Sequence, residues 1–164
     1  GASPAIGGAG PGLFAAAMFA GRSLGQLLSR RFAERELLVG SGLLAAAGIA
    51  LAAWSPTAEA ALLGLVVAGS GVSLAAPALF SRAGRLAGDA SRGAAISTLT
   101  TMGYMGFVIG PPIVGFIAGL SDLRMSFTAL AVLALGLAAA ARLAIPPGKP
   151  AFELEEELPP VARA

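Results

Sequence analysis

The fold is decided by one uncharged stretch, Gly103-Tyr-Met-Gly-Phe-Val-Ile-Gly-Pro-Pro-Ile-Val-Gly-Phe-Ile-Ala-Gly119. It lies inside a run without charges from Gly93 to Leu120, and about 20 apolar residues cross a bilayer core. Gly106 and Gly110 are four residues apart, as are Gly115 and Gly119, a spacing that lets neighbouring membrane helices approach to backbone contact. Its two prolines lack amide donors, which predicts a bend in the helix. The predicted packing and hinge residues are Gly103, Gly106, Gly110, Pro111, Pro112, Gly115 and Gly119.

The composition excludes most soluble protein classes. The 164 residues are 56% hydrophobic and only 12% charged, about half of the usual charged fraction. The net charge is only +2, and the arginines fall in short loops instead of on one basic face, so nucleic acid is not an expected partner. The sequence contains no cysteine and no histidine. Thiol chemistry, Ser-His triads and histidine metal sites are therefore excluded, and no catalytic residue, metal or cofactor is expected.

The apolar residues form separate runs, which predicts an all-α, polytopic membrane protein with five transmembrane helices. A bundle over 1–145 precedes an acidic, proline-rich tail over 146–164, which we expect to have no packed core. Because the chain opens on Gly1, without methionine or a basic leader, we expect it to be part of something longer. The predicted spans are 2–20, 37–54, 60–80, 95–120 and 125–145.

The basic residues predict the orientation of these spans. Ten of the eleven lysines and arginines follow the first, third and fifth runs, and only Arg124 follows the second or fourth. By the positive-inside rule, these ten lie in the cytoplasm, as does the C-terminus. The expected location is the cell (inner) membrane, with residues 57 and 122 outside.

The segment Gly25-Gln-Leu-Leu-Ser-Arg-Arg-Phe-Ala-Glu-Arg35 resembles the arginine-rich cytoplasmic loop of major facilitator superfamily transporters. In that family the loop recurs between helices 2 and 3 and between helices 8 and 9. Here Ser29 or Arg30 stands where aspartate is usual, and Ala33 stands where glycine is usual. The resemblance implies a cytoplasmic gate loop that includes Gly25, Arg30, Arg31 and Arg35. The alternative is that the arginines are only a positive-inside signal, which needs nothing but charge.

Two further segments resemble the same family. Gly106, Gly110, Pro111 and Gly115 are similar to the glycine-proline motif of antiporter helix 5, although Ser97 and Val114 replace two of its glycines. The run that ends Gly69-Ser-Gly-Val-Ser-Leu-Ala-Ala-Pro77, with the loop after it, resembles helix 10 in an orphan prokaryotic branch. The resemblance therefore implies helices 8 to 12 of twelve, most of the C-terminal six-helix half, with helices 1 to 7 absent.

Hydroxyl side chains within the spans are the candidates to line a cavity. Ser97, Thr101 and Tyr104 share one face of the fourth predicted helix, beside its glycine face. The alternative is that serine and threonine bond back to carbonyls of their own helix and only pack. The predicted cavity-lining residues are Ser70, Ser73, Ser97, Thr101 and Tyr104.

The family resemblance implies secondary active transport of a small solute by alternating access, as part of a twelve-helix permease or exporter. Two alternatives remain at this point: a small membrane scaffold, and a transporter of another Ala/Gly-rich superfamily. The expected partners are the lipid bilayer, the N-terminal helices of the same transporter and a small-molecule substrate, with protons as a candidate coupling ion. The residues indicate neither the substrate nor the direction of transport.

Overall fold

A computed structural model describes the backbone of residues 4–148, and the side chains from Gly8 onward except those of residues 9, 24, 26–27 and 29–30. These residues form helices joined by short turns. The helices are α1 (Pro4–Arg31), α2 (Glu34–Trp54), α3 (Ala58–Leu120) and α4 (Leu123–Ala144). The expectation of an all-α fold is confirmed for this part of the chain.

The longest helix, α3, has 63 residues and is interrupted once, at Gly88. There φ is 66° and ψ is 175°, a backbone region that is open essentially only to glycine. We call residues 58–87 the first half of α3 and residues 89–120 its second half. The predicted spans 60–80 and 95–120 fall in these two halves.

The first half of α3 packs between α1 and α2, and α2 packs in turn against α4, whereas α1 scarcely touches α2. The helix starts are capped where the turns are tight. The Thr57 hydroxyl accepts a bond from the amide of Ala60 at 3.3 Å, and the Asp122 carboxylate accepts one from Met125 at 2.7 Å. Such caps satisfy amides that have no partner within the helix.

Small residues fill the interior, and large apolar ones lie outside. The fully buried side chains with the largest volumes are Leu38, Ser41, Ser73 and Ser126, whereas Phe107 is 79% exposed and Leu143 is 86% exposed. A water-soluble protein buries its phenylalanines and leucines. Small residues inside and large apolar residues outside are typical of helices that pack within lipid.

The number of spans stays a prediction. Three helices within residues 4–148 are long and apolar enough to cross a membrane, namely α2, α3 and α4. Most of the predicted tail, from residue 149 on, lies outside the described residues.

Candidate gate and helix-packing site

The contact between α2 and the first half of α3 is made backbone to backbone. A Cβ atom built on Gly64 would lie 2.5 Å from the Ala52 amide nitrogen and 2.7 Å from the Gly48 carbonyl oxygen. Gly48 and Gly71 face the partner backbone just as closely. Real Cβ atoms do not approach other atoms to this distance, so only glycine fits at these three positions.

The contacts on either side of this crossing also depend on glycine. Gly42 of α2 faces the Ala134 carbonyl of α4, where a Cβ would lie 2.9 Å away. Gly69 of α3 faces the Phe14 carbonyl of α1, also at 2.9 Å. Small residues therefore set the separations of α1, α2, α4 and the first half of α3.

Charged side chains gather at one end of the bundle, which we call the basic end. The Glu34 carboxylate, in the first turn of α2, forms ion pairs with Arg85 and with Arg82, the latter at 3.6 Å. The neighbouring Arg35 donates from Nη2 to the Arg142 carbonyl at 2.9 Å. Two successive residues of α2 thus hold it to the first half of α3 and to the end of α4.

The predicted gate-loop residues have different surroundings at this end. Gly25 is buried, and a Cβ there would lie 3.0 Å from the Leu74 side chain. Arg31 is exposed, and Arg35 makes the contact with α4. The side chain of Arg30 lies outside the described residues. The gate role of these residues stays a prediction.

The opposite end, which we call the turn end, is joined by contacts of an aromatic side chain, Trp54. The Trp54 indole Nε1 donates to the Thr128 hydroxyl at 3.1 Å. The Arg124 guanidinium lies 6.0 Å from the centroid of the Trp54 ring, at the limit of a cation–π contact. The turns before α3 and α4 therefore meet at this end, and tryptophan is common at membrane interfaces.

The glycine-proline stretch has no such neighbours. Cβ atoms built on its glycines would meet nothing within 4 Å among the described residues, and Tyr104 and Phe116 are 70% and 69% exposed. The helix continues through Pro111 and Pro112, and its only non-helical backbone is at Gly88. The packing and hinge roles predicted for this stretch stay predictions. The unpacked glycines are Gly103, Gly106, Gly110, Gly115 and Gly119.

The five predicted cavity-lining residues lie on the two halves of α3, and their cavity-lining role stays a prediction. Ser73 is buried, and its hydroxyl donates to the Ser70 carbonyl at 2.7 Å. Thr101 lies on the exposed second half of α3 and donates to the Ser97 carbonyl at 2.9 Å. Both hydroxyls bond to carbonyls of their own helix, as the packing alternative predicts. Tyr104 is exposed.

Two residues with a clear structural role, Glu34 and Gly88, were not predicted from the sequence. Glu34 is one of two acids in the first turn of α2, and a pairing with arginines distant in sequence was visible only in the fold. Gly88 was not distinguished from the other glycines of the chain. Its polar surroundings, between Arg85 and Asp89, were the available signal for a break.

A bundle of long apolar helices with small residues inside and large apolar ones outside defines a multi-pass membrane protein. The chain belongs to the Major Facilitator Superfamily, whose family model matches residues 1–163. This membership confirms the resemblance seen in the loop and in the glycine-proline stretch. It also removes the alternative of a transporter from another superfamily.

Curated relatives agree with this family. An uncharacterised MFS-type transporter of Yersinia pestis is 37% identical over 142 residues, which are 87% of this chain and 37% of that protein. Membrane protein MosC of Rhizobium meliloti is 34% identical over 113 residues, 69% of this chain and 28% of that protein. An Agrobacterium vitis protein, whose name proposes it as a tartrate transporter, is 35% identical over 101 residues, 61% of this chain and 22% of that protein. No solved structure matches the chain. The chain spans about a third or less of the length of these relatives.

Proposed function

We propose that this chain supplies helices 8 to 12 of a twelve-helix secondary transporter of the cell inner membrane, with the C-terminus in the cytoplasm. The transporter would move a small solute by alternating access, in which one helical half moves against the other. No enzymatic step is part of this proposal. Family membership supports membrane transport, and the proposal adds the mechanism, the helix numbers and the orientation.

One observation carries the proposal: the two halves of α3 are packed very differently. The first half contacts α1 and α2 through glycines, whereas the glycines of the second half meet nothing in the described residues. A glycine face in lipid loses the close helix contacts for which small residues are suited. We therefore place the remaining helices of the transporter against the glycine face of the second half of α3.

The basic end fits the role of a cytoplasmic gate in this scheme. Its contacts join side chains that are partly exposed, since the Glu34 and Arg85 side chains are 23% and 56% accessible. Exposed ion pairs contribute about 1 kcal/mol or less. Such contacts can hold helix ends together in one state and separate in another at little cost in free energy.

The transport proposal is tested with the chain alone and with its partner helices. Reconstituted in liposomes, the 164-residue chain should insert but move no solute, because a transport cavity requires both helical halves. Co-expression with helices 1 to 7 of the same transporter should restore some uptake of its substrate. Saturable, substrate-selective uptake by the chain alone would contradict the proposal and favour a self-assembling small transporter. No uptake after co-expression, with both parts inserted, would favour a scaffold role.

Orientation has a separate test, made simple because the sequence contains no cysteine. In intact cells an impermeant maleimide should label Thr57→Cys and Asp122→Cys, which lie at the turn end. It should not label Ser29→Cys or Ser91→Cys, at the basic end, until the cells are opened. The reverse pattern would place the basic end outside.

A further inference from the structure

A groove runs between the start of α2 and the end of α4, at the basic end. Its cavity volume is about 290 Å³. Polar and apolar residues share its wall, among them Arg35, Glu36, Val39, Gly40 and Arg142. The ion pairs between α2 and α3 do not involve these residues, although Arg35 is also a predicted gate-loop residue.

The polar wall of the groove contains an unsatisfied donor. Arg35 donates from Nη2 to the Arg142 carbonyl, but its Nε is buried and has no hydrogen-bond partner among the described residues. A buried donor without an acceptor is unfavourable. Two arginines line the groove with one acidic residue, the exposed Glu36, so its lining residues carry a net positive charge. An anion with several acceptor oxygens would balance this charge and accept hydrogen bonds from arginine donors.

The groove continues along the outside of the bundle as an apolar strip of helix surface. A second cavity, of about 360 Å³, shares Val39, Leu43 and Arg142 with the first. Its other lining residues are apolar side chains of α4: Leu135, Ala138, Ala139 and Leu143. The combined surface has a cationic head region that leads into an apolar strip of helix surface.

We propose that this surface binds an anionic membrane phospholipid. Its phosphodiester lies between Arg35 and Arg142, and one acyl chain follows the apolar strip between α2 and α4. A soluble phosphate would use the two arginines but would leave the apolar strip without a role. Basic pockets between membrane helices suit anionic headgroups, which are enriched on the cytoplasmic face. The proposal depends on the proposed orientation, with the basic end in the cytoplasm, and not on whether the chain transports.

The test compares lipids retained by the purified 164-residue chain in native mass spectrometry. Dioleoyl phosphatidylglycerol should be retained in preference to dioleoyl phosphatidylcholine, and added inorganic phosphate should not displace it. Arg35→Gln combined with Arg142→Gln should reduce phosphatidylglycerol retention by about tenfold or more, because each basic residue attracts an anionic surface and two are lost. Glu36→Gln should increase retention.

Matched variants separate loss of the site from loss of the fold. Arg22→Gln removes an exposed arginine of α1 and should leave retention unchanged. Gly40→Leu should block the groove, whereas Gly136→Leu on α4 should not. A Cβ at either glycine meets nothing within 4 Å, so both variants should fold, with unchanged circular dichroism as the check.

Three results would overturn the proposal. Equal retention by the wild-type chain and by the double arginine variant would show that Arg35 and Arg142 do not form a lipid site. Displacement by inorganic phosphate would assign it to a soluble anion. Loss of retention in a chain that ends at Gly148 would assign it to the segment from residue 149 on, whose basic residues are Lys149 and Arg163.

Discussion

In the first half of α3, Gly64 and Gly71 lie against the backbone of α2 so closely that a Cβ atom would collide with it. In the second half, Gly106 and Gly110 have the spacing of a packing face but no atom within 4 Å among the described residues. Both halves are apolar, and both contain proline within the helix. The difference shows that a glycine pattern reports the capacity for close packing, while the partner that uses it is specified elsewhere.

The largest expected effect comes from adding a side chain where the first half of α3 contacts α2. Gly64→Leu should prevent α2 and α3 from assembling in the 164-residue chain, because the added side chain would meet the Ala52 amide and the Gly48 carbonyl. Overpacking costs about 1–3 kcal/mol even where side chains can shift, and here the neighbours are backbone atoms. Denaturation followed by circular dichroism measures the loss. Gly110→Leu in the same chain should change stability little, and an equal loss in both variants would contradict the comparison.

The second prediction moves the same substitution to the complete transporter. There Gly110→Leu should abolish solute uptake while membrane insertion is retained, because the leucine would separate helices that meet at the Gly106 and Gly110 face. Uptake by cells, normalised to membrane protein on a blot, is the measurement. Gly136→Leu, on the exposed side of α4, is the control and should be mild. If both variants lost uptake equally, the glycine face would have no special role.

The third prediction concerns the junction of the two halves. Gly88→Ala places a Cβ on backbone with φ of 66° and ψ of 175°. A side chain in this region costs about 1–3 kcal/mol, so the unfolding free energy should fall by about that amount. Among the described residues beyond its chain neighbours, no atom lies within 4 Å of the added Cβ, so contact with another helix would not explain the loss. Gly93→Ala, also without neighbours within 4 Å, should be neutral or slightly stabilising, and equal effects would show that Gly88 is not a strained junction.

Charge placement shows how far prediction from the sequence reached. Because arginines follow every other apolar run, the two ends of the bundle could be assigned before the fold was known. The structure brings Arg35, Arg85 and Arg142 to one end, and Trp54 and Arg124 to the other. Which side of the membrane each end faces is still the prediction that maleimide labelling tests.

The hydroxyl residues show where that reasoning stopped. Ser70, Ser73, Ser97 and Thr101 are candidates because hydroxyls that share one helix face suit a helix lining a polar cavity. A serine or threonine can find one in a carbonyl of its own helix, and the structure has all four doing so. The spacing of such residues therefore could not decide between packing and cavity lining.

The sequence by itself determined the helical membrane class and the family, because apolar run length, small-residue spacing and arginine asymmetry are local properties of the chain. Only the tertiary structure decided which glycines contact a neighbouring helix, that Glu34 pairs with Arg82 and Arg85, and where α3 breaks. Those outcomes depend on which helix faces lie together and on residues far apart in sequence. The same small-residue pattern can be closed by a neighbour, as at Gly64, or left without a neighbour among the described residues, as at Gly110.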